Sequence, residues 1–366
     1  MKLFFFLVAF CLVSFRYYLS WSGKDREKRG ISESSMTIKS DHFIEEIKYF
    51  GKFQISDDET GFRTISPGGY FKYRKNDIRV MAESNARGTI DYTIYDGTKE
   101  VPADGAGKPL LAEAVKEMIY WGFDAEPRME RVYQKGGADA LLREVDSIKT
   151  DQVKILYLNK LYAIDSLLPK LLPTIIKKIS VMGSDQDKMM FLNRISREQM
   201  NNPQTDSAYF AIVEKIGSDM EKVNALQHLI KLDSLTDSMV YQILVIGSSL
   251  GSDMDKANVF NQLIEKNLLH GSLTENMIYY ISHMGSDMDK VHLYSKLINE
   301  SKLTEDQWIV LEEKIPSLGS DMDKSNLLVE IAGKMPKTDP ARAGYRKAAK
   351  SINNDSDYGK AIRALE

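Results

Sequence analysis

Between residues 41 and 104 the apolar side chains recur at every second position, which is the period of a β-strand with one buried face. Turn-forming sequences such as Pro67-Gly68-Gly69 and Asp96-Gly97 separate the alternating stretches. The stretches are too short and too close together for the crossovers that parallel strands need. We therefore predict a small antiparallel β domain over residues 41–104. The alternating residues are Ile47, Tyr49, Phe53 and Ile55, then Phe71, Tyr73, Ile78 and Val80, and finally Ile90, Tyr92 and Ile94.

After residue 105 the period changes to that of an amphipathic helix. Leu111, Val115 and Met118 fall on one helical face, and the pattern ends at Gly122. We interpret residues 105–149 as a helical connector between the β domain and the rest of the chain.

A short sequence built around Ser-Asp recurs at a constant interval in the second half of the chain. Thr150 precedes the first clear copy by the same interval, Ser356 follows the last copy after a slightly longer one, and we interpret both as degenerate copies. A fixed period of about 34 residues is typical of stacked supersecondary units. It predicts an α-solenoid of about six to seven helical pairs over residues 150–366, and therefore an α+β fold class. The equally spaced serines are Ser184, Ser218, Ser252, Ser286 and Ser320.

Each copy has the composition of a helix start. The hydroxyl of Ser252 can accept a hydrogen bond from the amide of Asp255, whose carboxylate can reach back in the manner of a capping box. Asp253 lies in the first turn, where a negative charge meets the positive end of the helix dipole. Gly251 can end the preceding helix in a left-handed conformation. The predicted capping positions are Ser184, Ser218, Ser252, Ser286, Ser320, Glu221, Asp255, Asp289 and Asp323.

The apolar positions inside each copy predict a wide buried face. A second helix follows in each copy, and we place its start at Thr236, Thr274 and Thr304. The interval from serine to threonine lengthens by four residues between two successive copies, from which we infer that one helical turn has moved from the second helix to the first. The apolar positions are Met254, Ala257, Val259, Phe260, Leu263 and Ile264 in one copy, and Met288, Val291, Leu293, Tyr294, Leu297 and Ile298 in the next.

The repeated carboxylates also admit an interpretation as metal ligands. A calcium loop needs about six to eight oxygen ligands, a glycine-permitted bend and usually a glutamate downstream. Here a lysine follows the second aspartate at once and the chain enters a helix, so we favour helix capping. We expect that lysine to pair with an acidic residue of an adjacent helix start, with a small effect on stability. The residues of this candidate partner-contact edge are Asp253, Lys256, Asp287, Lys290, Asp321 and Lys324.

Composition and charge limit the classes of partner. The chain has 366 residues and a formal net charge of −3, with an isoelectric point near 6.1. It therefore lacks the basic balance that is typical of nucleic-acid-binding proteins. Cys11 is the single cysteine, so the rest of the chain has no disulfide, thiolate zinc site or cysteine nucleophile. We expect a protein partner and no nucleic acid.

The first residues have the pattern of an export signal. The apolar run from Leu3 to Phe15 has a length that fits a signal peptide, and it is shorter than the ~17–25 residues that span a bilayer. Basic residues follow the run, so a retained anchor is the alternative. We predict a signal peptide or membrane anchor over residues 1–22 and a polar linker over 23–40. The protein is then exported, periplasmic or associated with the cell envelope, and it contacts the membrane only through this segment.

No catalytic motif is found in the sequence. The five histidines do not form H-E-x-x-H, and neither G-x-S-x-G nor a phosphate-binding loop is present. We therefore predict no enzyme activity, no cofactor and no metal site. The expected function is that of a non-catalytic scaffold in envelope sensing or signalling, which binds a partner on the solenoid surface. The alternatives are an envelope hydrolase with an unrecognised site and an inward-facing membrane-anchored scaffold.

Three further stretches precede the copies of G-S-D-x-[DE]-K: TISPGGYFKYRK, TIDYTIYDG and RMERVYQKGGADALLREVDSI. This order resembles a group of uncharacterised bacterial envelope proteins, in which a small β region precedes helical S-D-Y-[DE]-K repeats. Similar repeats occur beside membrane metallopeptidases of the antibiotic-sensor type. The resemblance covers about residues 43–366, with methionine in place of most tyrosines and Tyr358 as the exception. It implies the same architecture and an extracytoplasmic sensory or scaffolding role, and it implies no catalytic residue.

Export predicts that processing removes roughly twenty residues, the usual length of a signal peptide. N-terminal sequencing of the protein from soluble and membrane envelope fractions measures the removal directly. An intact Met1, in a protein whose repeats resist externally added protease, would support the inward-facing anchored scaffold instead.

Overall fold

The computed structural model describes residues 18–24, 33–39, 44–164, 168–232 and 235–366. Contacts within the chain divide it into two compact units, Met1–Tyr157 and Leu158–Glu366. The first unit contains an antiparallel sheet and the second contains helices only, as far as the described residues go. The predicted α+β fold, with a small sheet followed by helical repeats, is confirmed.

The first unit is built on a seven-stranded antiparallel sheet in the order β1-β2-β3-β6-β7-β8-β9, with β4 and β5 paired separately. The predicted alternation is confirmed in its central strands, where Phe71, Tyr73, Val80 and Ile94 point into the core. The strands are β1 (Tyr18–Lys24), β2 (Glu33–Lys39), β3 (Ile44–Phe50), β4 (Phe53–Ile55), β5 (Phe62–Ile65), β6 (Tyr70–Lys75), β7 (Ile78–Ser84), β8 (Ile90–Asp96) and β9 (Lys99–Val101).

The sheet begins earlier in the chain than the sequence pattern predicts. The linker predicted over 23–40 contains β2, which pairs with β3 along its whole length. The last residues of the predicted signal segment belong to β1, and residues 1–17 lie outside the described part of the chain. Backbone hydrogen bonding to a neighbouring strand does not require an alternating apolar pattern, so these two polar strands gave little periodic signal.

Two helices and the first part of a third also belong to the first unit, so the predicted connector over 105–149 lies within it. Helix α1 (Lys108–Tyr120) buries Leu111, Ala114 and Val115 in the core formed with the sheet. Helix α2 (Ala125–Ser147) is kinked at Gly137, where the backbone leaves the helical conformation.

The helical repeats form two layers. Contacts join α7, α9, α11, α13 and α15 in one layer and α4, α6, α8, α10, α12 and α14 in the other. We call the helices that follow the repeated Ser-Asp first helices, and the others second helices. The bounds are α3 (Asp151–Tyr162), α4 (Leu168–Ile179), α5 (Asp185–Leu192), α6 (Pro203–Lys215), α7 (Asp219–Lys231), α8 (Asp237–Ser248), α9 (Asp253–Glu265), α10 (Ser272–Ser282), α11 (Asp287–Glu300), α12 (Glu305–Lys314), α13 (Asp321–Ala332), α14 (Asp339–Ala349) and α15 (Asp355–Leu365).

The last repeat keeps the period of the others, contrary to the interpretation of Ser356 as a displaced copy. Asn354 is the N-cap of α15 and follows Ser320 at the same interval that separates the serines. Its side chain accepts hydrogen bonds from the amides of Ser356 and Asp357. Asparagine caps a helix as well as serine does, so the register continues through a different residue type.

The start predicted for one second helix is wrong. Helix α10 begins at Ser272, so Thr274 is a buried residue inside it and not its cap. Helices α7 and α9 have the same length of 13 residues, and no turn has moved between helices. The longer interval arises mainly because Thr274 is the third residue of α10, and only one additional residue separates α9 from α10 compared with α7 and α8. Asn267 and Gly271 in the loop 266–271 adopt positive φ angles.

None of the helices in the described ranges is both long enough and apolar enough to cross a bilayer.

A carboxylic acid is buried between two second helices. Glu312 in α12 has no exposed surface, and its two carboxyl oxygens have no hydrogen-bond partner among the described residues. It packs against Gly344 of α14, where a Cβ atom would lie within contact distance of its carboxyl group. Burial raises the pKa of Glu312 from 4.5 to about 8. The folded protein therefore holds this group in the neutral form at neutral pH.

The folded pKa of Glu312 lies above the unfolded value. The contribution of this group to the free energy of unfolding is therefore most favourable below about pH 4.5, and it falls as pH rises towards 8. We expect Glu312→Gln to increase the free energy of unfolding at pH 8 by roughly 2–4 kcal/mol and to flatten this pH dependence. Urea unfolding from pH 5 to pH 8.5 measures both effects. The control is Glu313→Gln at the exposed neighbouring position; equal effects of the two changes would contradict the assignment to burial.

Candidate binding surface at the repeated helix starts

The repeated serines lie at the N-caps of the first helices. The Ser252 hydroxyl accepts a hydrogen bond from the Asp255 amide at 3.4 Å, and the same bond is 3.3 Å at Ser286 and 3.2 Å at Ser320. Ser184 and Ser218 cap α5 and α7 in the same way, with bonds from the amides of Asp187 and Glu221. Each bond satisfies one of the amides that a helix start leaves without a partner inside the helix.

The aspartate after each serine joins one repeat to the next. Asp253 Oδ2 accepts hydrogen bonds from the amides of Gly285 at 2.6 Å and Ser286 at 2.7 Å. The carboxylate predicted to reach back to the Ser286 amide was that of Asp289, in the same helix, but this amide donates to the preceding repeat instead. The same link between repeats occurs at Asp185 with Gly217 and Ser218, Asp219 with Gly251, Asp287 with Gly319, and Asp321 with Asn353 and Asn354.

The other oxygen of each aspartate pairs with a lysine of its own helix. Lys256 Nζ lies 2.8 Å from Asp253 Oδ1, and equivalent pairs form at Asp287–Lys290 and Asp321–Lys324. The predicted pairing with an adjacent helix start is therefore wrong, because the pair lies within one helix. Lys290 and Lys324 are also buried, whereas the small effect predicted for these pairs assumed that they are exposed.

The buried lysines reach the end of the next second helix. Lys324 Nζ donates to the carbonyl oxygen of Ser351 at 3.1 Å, just after α14, and Lys290 Nζ lies 3.5 Å from the Ser317 carbonyl oxygen. A cation thus lies at the C-terminal end of a second helix. The carboxylates of Asp321 and Asp287 accept amides just before the first helix that follows it. Both charges have the sign that the helix dipoles favour. We call this arrangement of aspartate, lysine and the following Gly-Ser the junction.

In three junctions the glycine lies close to the carboxylate of the preceding repeat and does not form a left-handed turn, whereas Asn353 takes this position in the last junction. Gly251 and Gly285 are not among the residues with positive φ, contrary to the predicted conformation. A Cβ atom on Gly251 would lie 3.1 Å from Asp219 Oδ2, and one on Gly285 would lie 3.3 Å from Asp253 Oδ2. A side chain here would crowd the carboxylate that accepts the junction hydrogen bonds.

The junction carboxylates have lowered pKa values. Burial alone would raise the pKa of Asp253, but hydrogen bonds from Lys256, Ser286 and Gly285 outweigh it and lower the pKa below 3.8. The pKa values of Asp185, Asp287 and Asp321 are lowered as well. Because these folded values lie below the unfolded one, the carboxylates stabilise the fold above about pH 4, and this contribution is lost as pH falls through the folded pKa.

The residue between the two acids is exposed, although its apolar character suggested burial. Methionines occupy this position in four successive first helices, where Met220, Met254, Met288 and Met322 are 65%, 66%, 78% and 60% exposed. Helices α7, α9, α11 and α13 are neighbours in one layer, so the four side chains form a row. The prediction that Met254 and Met288 are buried is therefore wrong. Both lie at the second position of their helix, which points away from the neighbouring layer.

A row of acids accompanies the methionines. Glu221, Asp255, Asp289 and Asp323 are partly exposed and follow the methionine directly in each helix. Within the described residues these four carboxylates form no ion pair, in contrast to the junction aspartates two positions earlier. We call the four methionines and these four acids the exposed row. It is an apolar strip with an uncompensated negative charge beside it.

The predicted partner-contact residues lie in the junctions, and the contacts that the structure shows for them are within the chain. Their role in binding a partner stays a prediction. Among the described residues, no group of three or more His, Cys, Asp or Glu side chains is placed to hold a metal ion.

Comparison with known proteins adds no family to these observations. The chain matches no protein-family model, and no curated protein shows significant similarity to it. The resemblance to envelope proteins with S-D-Y-[DE]-K repeats therefore stays a prediction.

The junction predicts different effects for two chemically identical substitutions in one helical turn. Asp253→Asn removes the charge that accepts two amides and pairs with Lys256, and we expect a loss of about 1–3 kcal/mol in the free energy of unfolding. Asp255→Asn, the matched control, removes only a favourable dipole interaction of about 0.3–1 kcal/mol. Thermal and urea unfolding measure both.

Unfolding with added calcium and with chelator distinguishes the junction from the metal interpretation. A melting temperature that rises with calcium in the wild type, but not in Asp253→Asn, would show a cation site. Equal losses for the two substitutions would show that the links between repeats contribute little.

Proposed function

We propose that the protein is a non-catalytic scaffold of the cell envelope, and that its exposed row binds a protein partner. The observation that supports this most directly is the repetition of a highly exposed methionine at one position of four neighbouring helices. Single exposed apolar residues need no explanation, but a contiguous apolar strip on a folded protein marks an interaction surface. Methionine is well suited to such a strip, since its flexible, polarizable side chain adapts to different partners.

The charge beside the strip specifies the chemistry of the partner. The acids of the exposed row are matched by lysine or arginine, and the methionines are matched by apolar side chains. An amphipathic helix with one apolar face and basic flanks offers both sets of groups along one line. A partner with acidic flanks is repelled by the same row.

The spacing of the row fits a helical partner. Packed helices lie about 8–10 Å apart, and this distance separates equivalent positions on neighbouring first helices. A partner helix rises about 1.5 Å per residue, so roughly five to seven of its residues pass one repeat. Apolar side chains one heptad apart therefore meet successive methionines when the partner lies across the first helices.

The proposed location is outside the cytoplasm, either free in the envelope or tethered to a membrane. It is supported by the length of the apolar run Leu3–Phe15 and by the lack of cysteine after Cys11, which is compatible with an oxidising compartment. The proposed scaffold role does not depend on this location, because the exposed row lies in the repeats.

A designed peptide tests the partner chemistry. A helical peptide of about three heptads, with leucine on one face and lysine on its flanks, should bind the wild-type protein, whereas a leucine–glutamate peptide of the same pattern should not. We expect the triple variant Met254→Ser, Met288→Ser, Met322→Ser to weaken binding at least ten-fold. Fluorescence anisotropy of the labelled peptide measures the affinity.

The control is Val181→Ser, which removes an apolar side chain that is 73% exposed and lies outside the row. A second variant, Asp255→Asn, Asp289→Asn, Asp323→Asn, should reduce both the affinity and its salt dependence. Equal binding of the lysine and glutamate peptides, or full binding by the methionine triple variant, would contradict the proposal.

A further inference from the structure

The outer face of the sheet in the first unit carries a concentration of basic side chains. Every second residue of a strand points away from the core, so the strands β3, β6, β7 and β8 contribute three cross-strand rows to this face. One of these rows ends in two acids, Glu83 and Asp91, and the other two carry the basic residues. Of these two basic rows, the first runs through Glu46, Arg74, Arg79 and Tyr95, and the second runs through Lys48, Lys72, Met81 and Thr93.

Each basic row places like charges directly opposite each other. Arg74 is the cross-strand neighbour of Arg79, and Lys48 is the neighbour of Lys72. Side chains at such positions lie about 4.5–5.5 Å apart at Cβ, and like charges there destabilise a sheet. The sheet therefore contains two repulsive cross-strand pairs of basic residues on this face.

The two lysines are partly neutralised and the two arginines are not. Lys48 pairs with Glu46 at 2.5 Å, and Lys72 lies 3.6 Å from Glu83. Among the described residues, neither Arg74 nor Arg79 forms an ion pair. The positive charge without an ion-pair partner is thus concentrated at the neighbouring positions of Arg74 and Arg79.

A pocket of about 260 Å³ lies over this point. Its charged lining consists of Lys48, Lys72, Arg74, Arg79 and a single carboxylate, Glu46. Tyr95, Met81 and Thr93 provide the remaining outward-facing surface. The Arg79 guanidinium carbon lies 4.4 Å from the centre of the Tyr95 ring, so this arginine is held in place by stacking without losing its hydrogen-bond donors.

We propose that this pocket binds the phosphate group of a phosphorylated ligand. Two guanidinium groups that line one pocket can each donate N–H groups to the oxygens of one phosphate, and the lysines balance its second negative charge. A monocarboxylate requires only one such fork and leaves the second arginine uncompensated. The pocket is larger than one phosphate group, and the Tyr95 and Met81 surface is available to the organic part of the ligand.

A bound anion offsets the repulsion within these cross-strand pairs. Binding groups held on rigid strands lose little freedom when a ligand arrives, and the repulsion between Arg74 and Arg79 is relieved by an anion between them. The proposal concerns the first unit only and does not rest on the function proposed for the repeats.

Binding is tested with glycerol 3-phosphate and inorganic phosphate by isothermal titration calorimetry at constant ionic strength. Vesicles of phosphatidylcholine with and without phosphatidic acid test a lipid headgroup by flotation. We expect saturable binding of at least one phosphate probe, weakened at least ten-fold in Arg74→Ala, Arg79→Ala. Binding of the soluble probe assigns the site to small phosphorylated molecules, and binding of phosphatidic acid vesicles alone assigns it to a lipid phosphate.

Two controls separate a built site from general attraction to positive charge. Arg87→Ala removes one exposed charge in the turn after β7, outside the pocket, and should leave binding unchanged. Arg74→Lys, Arg79→Lys keeps the charge without the forks and should weaken binding clearly. The alanine pair should melt at the same or a higher temperature, because a repulsion has been removed. Absence of binding for every phosphate probe, or equal losses in Arg87→Ala and the alanine pair, would overturn the proposal.

Discussion

The arrangement of the repeats depends on a hydrogen-bonded carboxylate at the start of each first helix. Asp253 illustrates it: one oxygen pairs with Lys256 in the same helix, and the other accepts two amides of the following repeat. The same side chain therefore satisfies groups in two helices that are consecutive in one layer. The amides at a helix start have no acceptor inside their own helix and need one elsewhere. The carboxylate of the preceding repeat provides this acceptor, so the link between repeats leaves no additional polar group without a partner.

This link explains why one edge of the repeats is regular and the other is not. The junction serines and Asn354 keep a constant interval, because a displaced residue would take its amide away from the carboxylate. The loop 266–271 and the start of α10 have no such restraint and differ from the other copies. The methionines of the exposed row belong to the regular edge, which is why they recur at equal steps and present one continuous surface.

The sequence predicted those features that depend on local chemistry. Serine followed three residues later by an acidic residue identifies an N-cap because both groups lie in one turn, and alternation in β6 to β8 identifies strands with one buried face. The partner of Asp253 could not be predicted in this way, since it lies in the next repeat and only packing brings the two together. Met254 was wrongly assigned to the core for a related reason. The direction of an apolar side chain in the first turn depends on how the helix packs against its neighbours, and the sequence of one helix does not give this.

The sequence predicts one part of the basic pocket, the outward direction of its residues, and does not predict the other part, their convergence. Lys72, Arg74 and Arg79 occupy alternate positions between core residues, so the sequence already places them on an outer face. Their convergence depends on strand register, which sets Arg74 opposite Arg79. A shift of one residue would turn one of them into the core.

The junction also allows whole repeats to be duplicated or deleted without loss of its hydrogen bonds. The copies that begin at Ser218, Ser252, Ser286 and Ser320 carry both halves of the link, a Gly-Ser whose amides donate and an aspartate that accepts, so each of these copies has the groups needed to precede or follow another. Duplication or deletion of one whole period within the array restores both halves at the new boundary, wherever the event begins. Recombination between copies can therefore lengthen or shorten the array while every helix start keeps its partner, and the number of methionines in the row changes by one at a time.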